Sequence, residues 1–185
     1  MKEVEILMQI NEDKNSVLKK LSKFEFIGTK RTIDTYYYDP LRDNLKAKNL
    51  KLTECFRTRI KGEKNYITYK VDHFDNDTWI YSDEYETEVK DITELEKIIK
   101  LLGLKTLVVI DSTKNFFKYK NYEIEFETVK NLGNFLEVEY QSKEDFDNVL
   151  EVKNQIKKFI TDLDLSISEE LNIGKPELML RKIQQ

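Results

Sequence analysis

Two segments decide how this chain reads: Tyr122-Glu123-Ile124-Glu125-Phe126-Glu127-Thr128-Val129 and, shortly after it, Asn134-Phe135-Leu136-Glu137-Val138-Glu139-Tyr140-Gln141. Successive side chains of a strand point to opposite faces. That period puts Glu123, Glu125 and Glu127 on one face of the first segment, and Glu137 and Glu139 on one face of the second. The same pattern opens the chain. From Glu3 to Ile10, Val4, Ile6, Met8 and Ile10 share one side while Glu3, Glu5, Leu7 and Gln9 share the other. Further strands are expected at Ile33–Tyr38, Cys55–Lys61, Asn65–Val71, Trp79–Val89, Thr106–Ile110 and Asn115–Tyr119. Gly62-Glu63 and Lys120-Asn121 read as tight turns between neighbouring strands. Many alternating strands joined by short turns indicate an antiparallel sheet or barrel.

Three or four helices accompany the strands. Asn11 is placed to cap a helix running to about Phe24, with Val17, Leu18 and Leu21 as its apolar stripe. Thr93-Glu94-Leu95-Glu96 reads as a capping box, and Gly103 stands where a C-terminal glycine cap belongs. Ser142-Lys143-Glu144-Asp145 opens another helix, with Phe146, Val149, Leu150, Ile156, Phe159 and Ile160 as its buried stripe. A short helix is expected after Pro176. With two prolines, five glycines, no repeat and no Ser/Gly-rich linker, residues 1–185 read as one domain.

Composition narrows the function. The 185 residues carry 31 Lys+Arg against 35 Asp+Glu, a net charge of −4, so a generic nucleic-acid or anionic-membrane binder is not expected. Hydrophobic residues at 39% and aromatics at 11% argue against disorder. The single Cys55 excludes an intramolecular disulfide framework and fits a reducing cytoplasm. With His73 as the one histidine, the usual structural zinc sites are excluded as well. The acids of Met1-Lys2-Glu3-Val4-Glu5 stand where a signal peptide needs an apolar stretch, and Leu107-Val108-Val109-Ile110 is too short to span a bilayer.

The informative feature is the layout of charge. Arg57, Arg59 and Lys61 share one strand face; Glu84, Glu86 and Glu88 share another. With the rows at Glu3/Glu5, Glu123–Glu127 and Glu137/Glu139, every row has a single sign. One reading makes these solvated sheet faces joined by cross-strand ion pairs. The other makes them the lumen of a closed barrel whose outer face packs under helices. Such a lumen needs a ligand to neutralise it: carboxylates bind Mg²⁺ or Mn²⁺ through hard oxygen atoms, and arginines and lysines bind phosphate oxygens. Acidic and basic rows in one cavity suit a metal-chelated polyphosphate.

Several motifs resemble those of the CYTH superfamily, the triphosphate tunnel metalloenzymes that include class IV adenylyl cyclases of the CyaB type and thiamine triphosphatases. Glu3-Val4-Glu5-Ile6-Leu7 is similar to the family's ExExK opening. Asp34-Thr35-Tyr36-Tyr37-Tyr38-Asp39-Pro40-Leu41-Arg42-Asp43 resembles its DTYY(D) segment, with a Pro-x-Arg-Asp continuation like that of the CyaB branch. Phe56-Arg57-Thr58-Arg59-Ile60, Ile67-Thr68-Tyr69-Lys70 and Asp83-Glu84-Tyr85-Glu86-Thr87 resemble its LRIR, LTYK and EEYET strands. Glu127 to Glu139 is similar to DxVxxLGxFxEIE, the most specific of these likenesses. Ser166-Ile167-Ser168-Glu169-Glu170-Leu171 carries a faint likeness to SYxELL.

The resemblance implies an α+β fold: a closed antiparallel β-barrel of about eight strands, the triphosphate tunnel, with peripheral helices. It implies that Arg57, Arg59, Lys70 and Lys114 bind the triphosphate. Glu3, Glu5, Glu84, Glu86, Glu127, Glu137 and Glu139 would then hold Mg²⁺ or Mn²⁺. A homodimer is compatible with the family but has no support in the sequence itself. The departures are specific. Leu7 replaces the lysine of ExExK, Ser82 and Ser112 stand at usually basic positions, and Glu127 replaces an aspartate. Lys30, Lys51, Lys61 and Lys118 are the available substitutes.

The expected activity is cleavage of a small triphosphate (ATP, thiamine triphosphate or inorganic triphosphate), with hydrolysis favoured. A class IV adenylyl cyclase forming cAMP and pyrophosphate is the alternative. A polyphosphate or nucleotide binder without turnover is another, motivated by the missing cations, and a structural barrel charged on its outside is the blandest. His73, beside Asp72, Asp75 and Asp77, reads as a solvated loop, Cys55 as an inert thiol, and Trp79 and Tyr81 as packing residues.

Overall fold

The alternating segments become one antiparallel sheet that closes on itself. The computed structural model describes residues 2–43, 45–142 and 148–184. In chain order the elements are β1 (Lys2–Glu3), β2 (Glu5–Gln9), α1 (Lys14–Leu21), β3 (Glu25–Tyr38), β4 (Glu54–Lys61), β5 (Lys64–Asp75) and β6 (Thr78–Glu88). There follow α2 (Ile92–Leu101), β7 (Lys105–Tyr119), β8 (Tyr122–Val129), β9 (Gly133–Tyr140), α3 (Val149–Thr161) and α4 (Lys175–Ile183). The strand order is β1-β6-β5-β4-β3-β7-β8-β9-β2. Its two ends, β1 and β2, are joined in the chain by Val4 alone, whose carbonyl accepts the Tyr140 amide at 3.2 Å. The amino-terminal strand therefore leaves one edge at Val4, joins the other, and nearly closes the sheet into a barrel. Counted as one interrupted strand, β1 and β2 reduce the nine of the sheet to the eight of the expected barrel.

Pattern dictates which face goes inside. Val4, Ile6 and Met8 turn outward and pack with Ile124 and Phe126 of β8, Leu136 and Val138 of β9, Val17 and Leu21 of α1, and Ile156 and Ile160 of α3. Burying each such side chain is worth about 1.5–3 kcal/mol, so the core between barrel and helices leaves the interior free to be polar. A second apolar cluster closes one end of the barrel, where Leu7, Tyr36, Ile110, Val129 and Phe135 meet Met179 of α4. Residues 166–171 run beside β2: the Ser168 and Leu171 amides donate to the Gln9 and Leu7 carbonyls at 2.8 and 3.0 Å.

Several expectations are corrected. The separate strands Thr106–Ile110 and Asn115–Tyr119 are one, β7. The intervening polar residues alternate rather than break it: Asp111 turns outward to the Arg31 guanidinium at 2.9 Å, while Ser112 and Lys114 are buried on the opposite face. The strand expected at Ile33–Tyr38 starts at Glu25, with a register shift between Phe26 and Gly28 where Gly28 takes φ +148°. Asp13, not Asn11, caps α1, and Asp91, not Thr93, caps α2. His73 lies in β5 rather than a loop; its Nε2 meets an Asp83 carboxylate oxygen at 2.8 Å and its ring stacks on Tyr81. The helix start expected at Ser142–Phe146 falls largely outside the described residues; α3 runs from Val149 with Asn148 as its cap. Among the described residues, no helix is long and apolar enough to cross a membrane.

Candidate active site

The inward faces of the strands enclose a cavity of about 270 Å³ whose walls are mostly charged. Strand register brings the rows together. On the basic side β3 pairs with β4 so that Asp34 lies opposite Arg59 and Tyr36 opposite Arg57. Arg59 grips Asp34 with two hydrogen bonds, 2.7 and 2.8 Å. Arg57 is held more loosely. It donates to the Tyr36 hydroxyl at 3.2 Å and stays 3.7–3.9 Å from Asp34, Glu84 and Glu86, and its buried Nε has no hydrogen-bond partner. Burial alone would raise the Asp34 carboxyl; the Arg59 and Arg57 guanidiniums overcome it and hold the group well below the usual carboxylate range.

Lys70 on β5 forms the next group. Its Nζ reaches Glu3 at 2.5 Å, Glu5 at 3.1 Å and Glu84 at 3.4 Å. One ammonium cannot balance three carboxylates, and the carboxyls respond unequally. Desolvation, against the pull of Lys70, pushes Glu5 up to about 8 and also raises Glu3. Glu84 goes down to about 2, because Lys70 and Arg57 outweigh its burial.

The far wall is acidic. Across β2, β9 and β8, Glu139 lies directly opposite both Glu5 and Glu123, and Glu137 opposite Glu125. Like charges so placed repel. Burial and the charges of Glu3, Glu5 and Glu123 drive Glu139 up to about 10. Beside it, Glu125, Glu127 and Glu137 bring carboxylate oxygens within 4.8 Å of one another. Lys114 of β7 meets this group at 2.5 Å from Glu125 and 3.8 Å from Glu127. Lys175, the first residue of α4, donates to Glu127 and, at 2.6 Å, to Glu137.

This gives a pH dependence. Glu5 and Glu139 keep their protons to higher pH folded than unfolded, where the ordinary value is 4.5. The folded chain therefore binds more protons between about 4.5 and about 10, and its stability falls as pH rises through that window. The carboxyls held low, Asp34 and Glu84, are already ionised below it. In a chelator, the thermal midpoint should decline from about pH 6 to about pH 9, and Mn²⁺ should reduce or reverse the decline, since carboxylates bind a cation only when deprotonated. A midpoint flat across that range in chelator would contradict the placement of these two carboxyls.

Arg57, Arg59, Lys70, Lys114, Glu3, Glu5, Glu84, Glu86, Glu137 and Glu139 all line the cavity, and Glu127 lies just behind it at 1% exposure. Glu86 accepts from the Thr68 hydroxyl at 2.8 Å. Sequence reasoning missed Lys175, assigned no part to Asp34, and placed Glu125 in an acidic row without naming it as a ligand. Of the substitute lysines, Lys61 reaches the cavity, 4.5 Å from the Phe116 ring centroid. Lys30 and Lys118 are exposed, and Lys51 pairs with Asp77 at 3.0 Å. Ser82 donates to Asp72 at 2.7 Å and accepts from the Trp79 indole at 3.0 Å. Cys55 faces the cavity, but burial raises its thiol well above its usual value, so it is a protonated thiol.

The fold and its lumen define a class: a closed β-tunnel carrying carboxylate and guanidinium rows on the inside. The chain belongs to the CYTH domain family, whose domain matches residues 1–170. It is similar to a candidate adenylate cyclase of Methanocaldococcus jannaschii, 32% identical over 139 residues that make up 74% of this chain and 75% of that protein. Among solved structures, a Pyrococcus horikoshii protein superposes with a TM-score of 0.81 at 26% identity, over 97% of this chain and 99% of that one. A Hippeastrum protein, a candidate adenylyl cyclase described as having a dominant triphosphatase activity, shares the fold with a TM-score of 0.70 at 13% identity, over 97% and 96% of the two chains.

Proposed function

We propose that the protein binds a small triphosphate with Mg²⁺ or Mn²⁺ in its lumen and hydrolyses it. The observation carrying this reading is one cavity that combines an excess of buried carboxylates, several directly opposed, with Arg57, Arg59, Lys70 and Lys114. An acid excess that must hold protons at neutral pH suits hard divalent cations. Glu125, Glu127 and Glu137 form a donor set, and Glu3, Glu5 and Glu84, gathered on Lys70, are the further carboxylates of the lumen. A divalent cation bound there supplies Lewis-acid polarisation of phosphoryl oxygens and neutralises developing charge.

The chain's own residues do the rest by positioning. Arg57, with an unpartnered Nε, offers its guanidinium to the phosphate oxygens. Arg59, fixed by Asp34, holds the basic wall in place. Lys70 and Lys114, each set against lumen carboxylates, supply the further positive charge for the anion. Water adds to the terminal phosphorus as the bond to the bridging oxygen breaks, giving orthophosphate, diphosphate and a proton.

Hydrolysis is favoured because the cavity, about 270 Å³, accommodates a bare triphosphate chain more readily than a whole nucleotide. Trp79, an aromatic on its wall, is buried and its indole N–H is already engaged by Ser82. The likeness to the Methanocaldococcus jannaschii protein supports the second reading, adenylyl cyclisation. Product analysis separates the two. With ATP, thiamine triphosphate or inorganic triphosphate and Mg²⁺ or Mn²⁺, hydrolysis releases orthophosphate. Cyclisation of ATP releases pyrophosphate with cAMP, and that result would replace the first reading by the second.

A further inference from the structure

Position 7, where the family resemblance calls for a lysine, carries Leu7, yet the structure delivers a lysine to the same place from the other end of the chain. Leu7 is the cross-strand partner of Glu137, so the two side chains leave neighbouring strands on one face. The Leu7 side chain is buried and packs in the apolar cluster that receives Met179 of α4. The α4 amino terminus is fixed independently: Glu177 accepts the amides of Gly174 at 2.9 Å and Leu52 at 3.2 Å. That anchoring directs Lys175 into the lumen, where its Nζ lies on Glu127 and Glu137. A hydrophobic residue at position 7 and a lysine at position 175 are thus two halves of one arrangement: the leucine seats the helix, and the helix brings the cation. Lys175 lies beyond the residues 1–170 that match the family domain.

We infer that Lys175 is a ligand-binding residue of the tunnel, the cation that position 7 lacks, and that it serves as an internal counter-ion for Glu127 and Glu137 until a divalent cation takes those carboxylates and frees its ammonium for a phosphate oxygen. This rests on the proposed triphosphate reading. It predicts effects of opposite sign on the two ligands, because Lys175 competes with a cation for the carboxylates but adds to the charge that holds an anion.

The test is calorimetric titration of the full chain and of Lys175→Gln with Mn²⁺ alone, and with inorganic tripolyphosphate in the presence of Mn²⁺. The variant should bind tripolyphosphate about tenfold more weakly or worse, yet bind Mn²⁺ alone more tightly than the parent. Leu7→Lys combined with Lys175→Gln should recover part of the anion affinity. If a lysine at position 7 unseats α4 and unfolds the chain, Lys175→Arg is the charge-retaining control and should stay within about threefold of the parent. An unchanged tripolyphosphate affinity in Lys175→Gln, or a fall in both affinities together with the thermal midpoint, would overturn the inference, the latter by making Lys175 a structural strut. Lys175→Arg binding as weakly as Lys175→Gln would overturn it also. A parent chain that fails to bind tripolyphosphate with Mn²⁺ overturns the functional reading itself, a distinguishable result.

Discussion

Glu137→Gln combined with Glu139→Gln is expected to reduce divalent-cation-dependent turnover by at least about 10³-fold while the barrel stays folded. Both expectations follow from the lumen. Glu137 belongs to the carboxylate group within 4.8 Å, and Glu139 stands beside it on β9, opposite Glu5 and Glu123, so the pair spans the metal-binding group and the acidic wall next to it. Glutamine keeps the shape of each side chain but offers a neutral donor that cations bind far less well. Folding survives because the lost charges were opposed to begin with. Removing Glu139 lifts its repulsion from Glu3, Glu5 and Glu123. Losing Glu137 leaves Lys175 on Glu127 and Lys114 on Glu125. In chelator the double variant should melt no lower than the parent, and Mn²⁺ should no longer raise its midpoint. Retained turnover would remove these carboxylates from the site.

The second large effect separates two arginines that sequence alone treats as equivalent. Arg59 is tied to Asp34 by a buried bidentate pair; Arg57 has only long contacts and one hydrogen bond to Tyr36. Arg59→Ala leaves the Asp34 carboxylate buried without its closest partner, a loss of about 3–5 kcal/mol. In a chain of this size that lowers the thermal midpoint by roughly 10 °C. Arg57→Ala breaks less and should move the midpoint by only a few degrees, yet cost about 10²-fold in kcat/KM, because its guanidinium is the one held available to the ligand. Differential scanning calorimetry and steady-state kinetics on the two variants check this. Equal destabilisation by both would contradict the division of labour.

The rows of like charge were legible because a strand's period of two is written directly into the residues, and closure of the sheet turned those rows into walls. What could not be read depended on contacts distant in the chain. Nothing in the unbroken alternation of Glu3 to Ile10 marks Val4 as the point where pairing switches from β6 to β9. The stretch Asp111–Lys114 read as a gap between strands because its polar residues have two reasons to be polar, an outward pair with Arg31 and an inward row facing the acids. Asp34 stands within a recognisable motif, but its part appears only once β3 and β4 align it with Arg59. Lys175 was invisible: a lysine before a proline at a helix start belongs to no periodic row, and only the docking of α4, through Glu177 at its start and Met179 in the apolar cluster, carries it into the lumen.

The missing lysine at position 7 therefore does not imply an under-charged tunnel, because Lys175 and Lys61 both reach the cavity. The lumen still holds more carboxylates than cations, which makes a metal-bound triphosphate a better complement than a free one.

The most direct measurement is orthophosphate release from inorganic triphosphate by the purified chain, with Mn²⁺ and with chelator. Release is expected with Mn²⁺ and none in chelator. Release that continues undiminished in chelator, or no release with Mn²⁺, would contradict it.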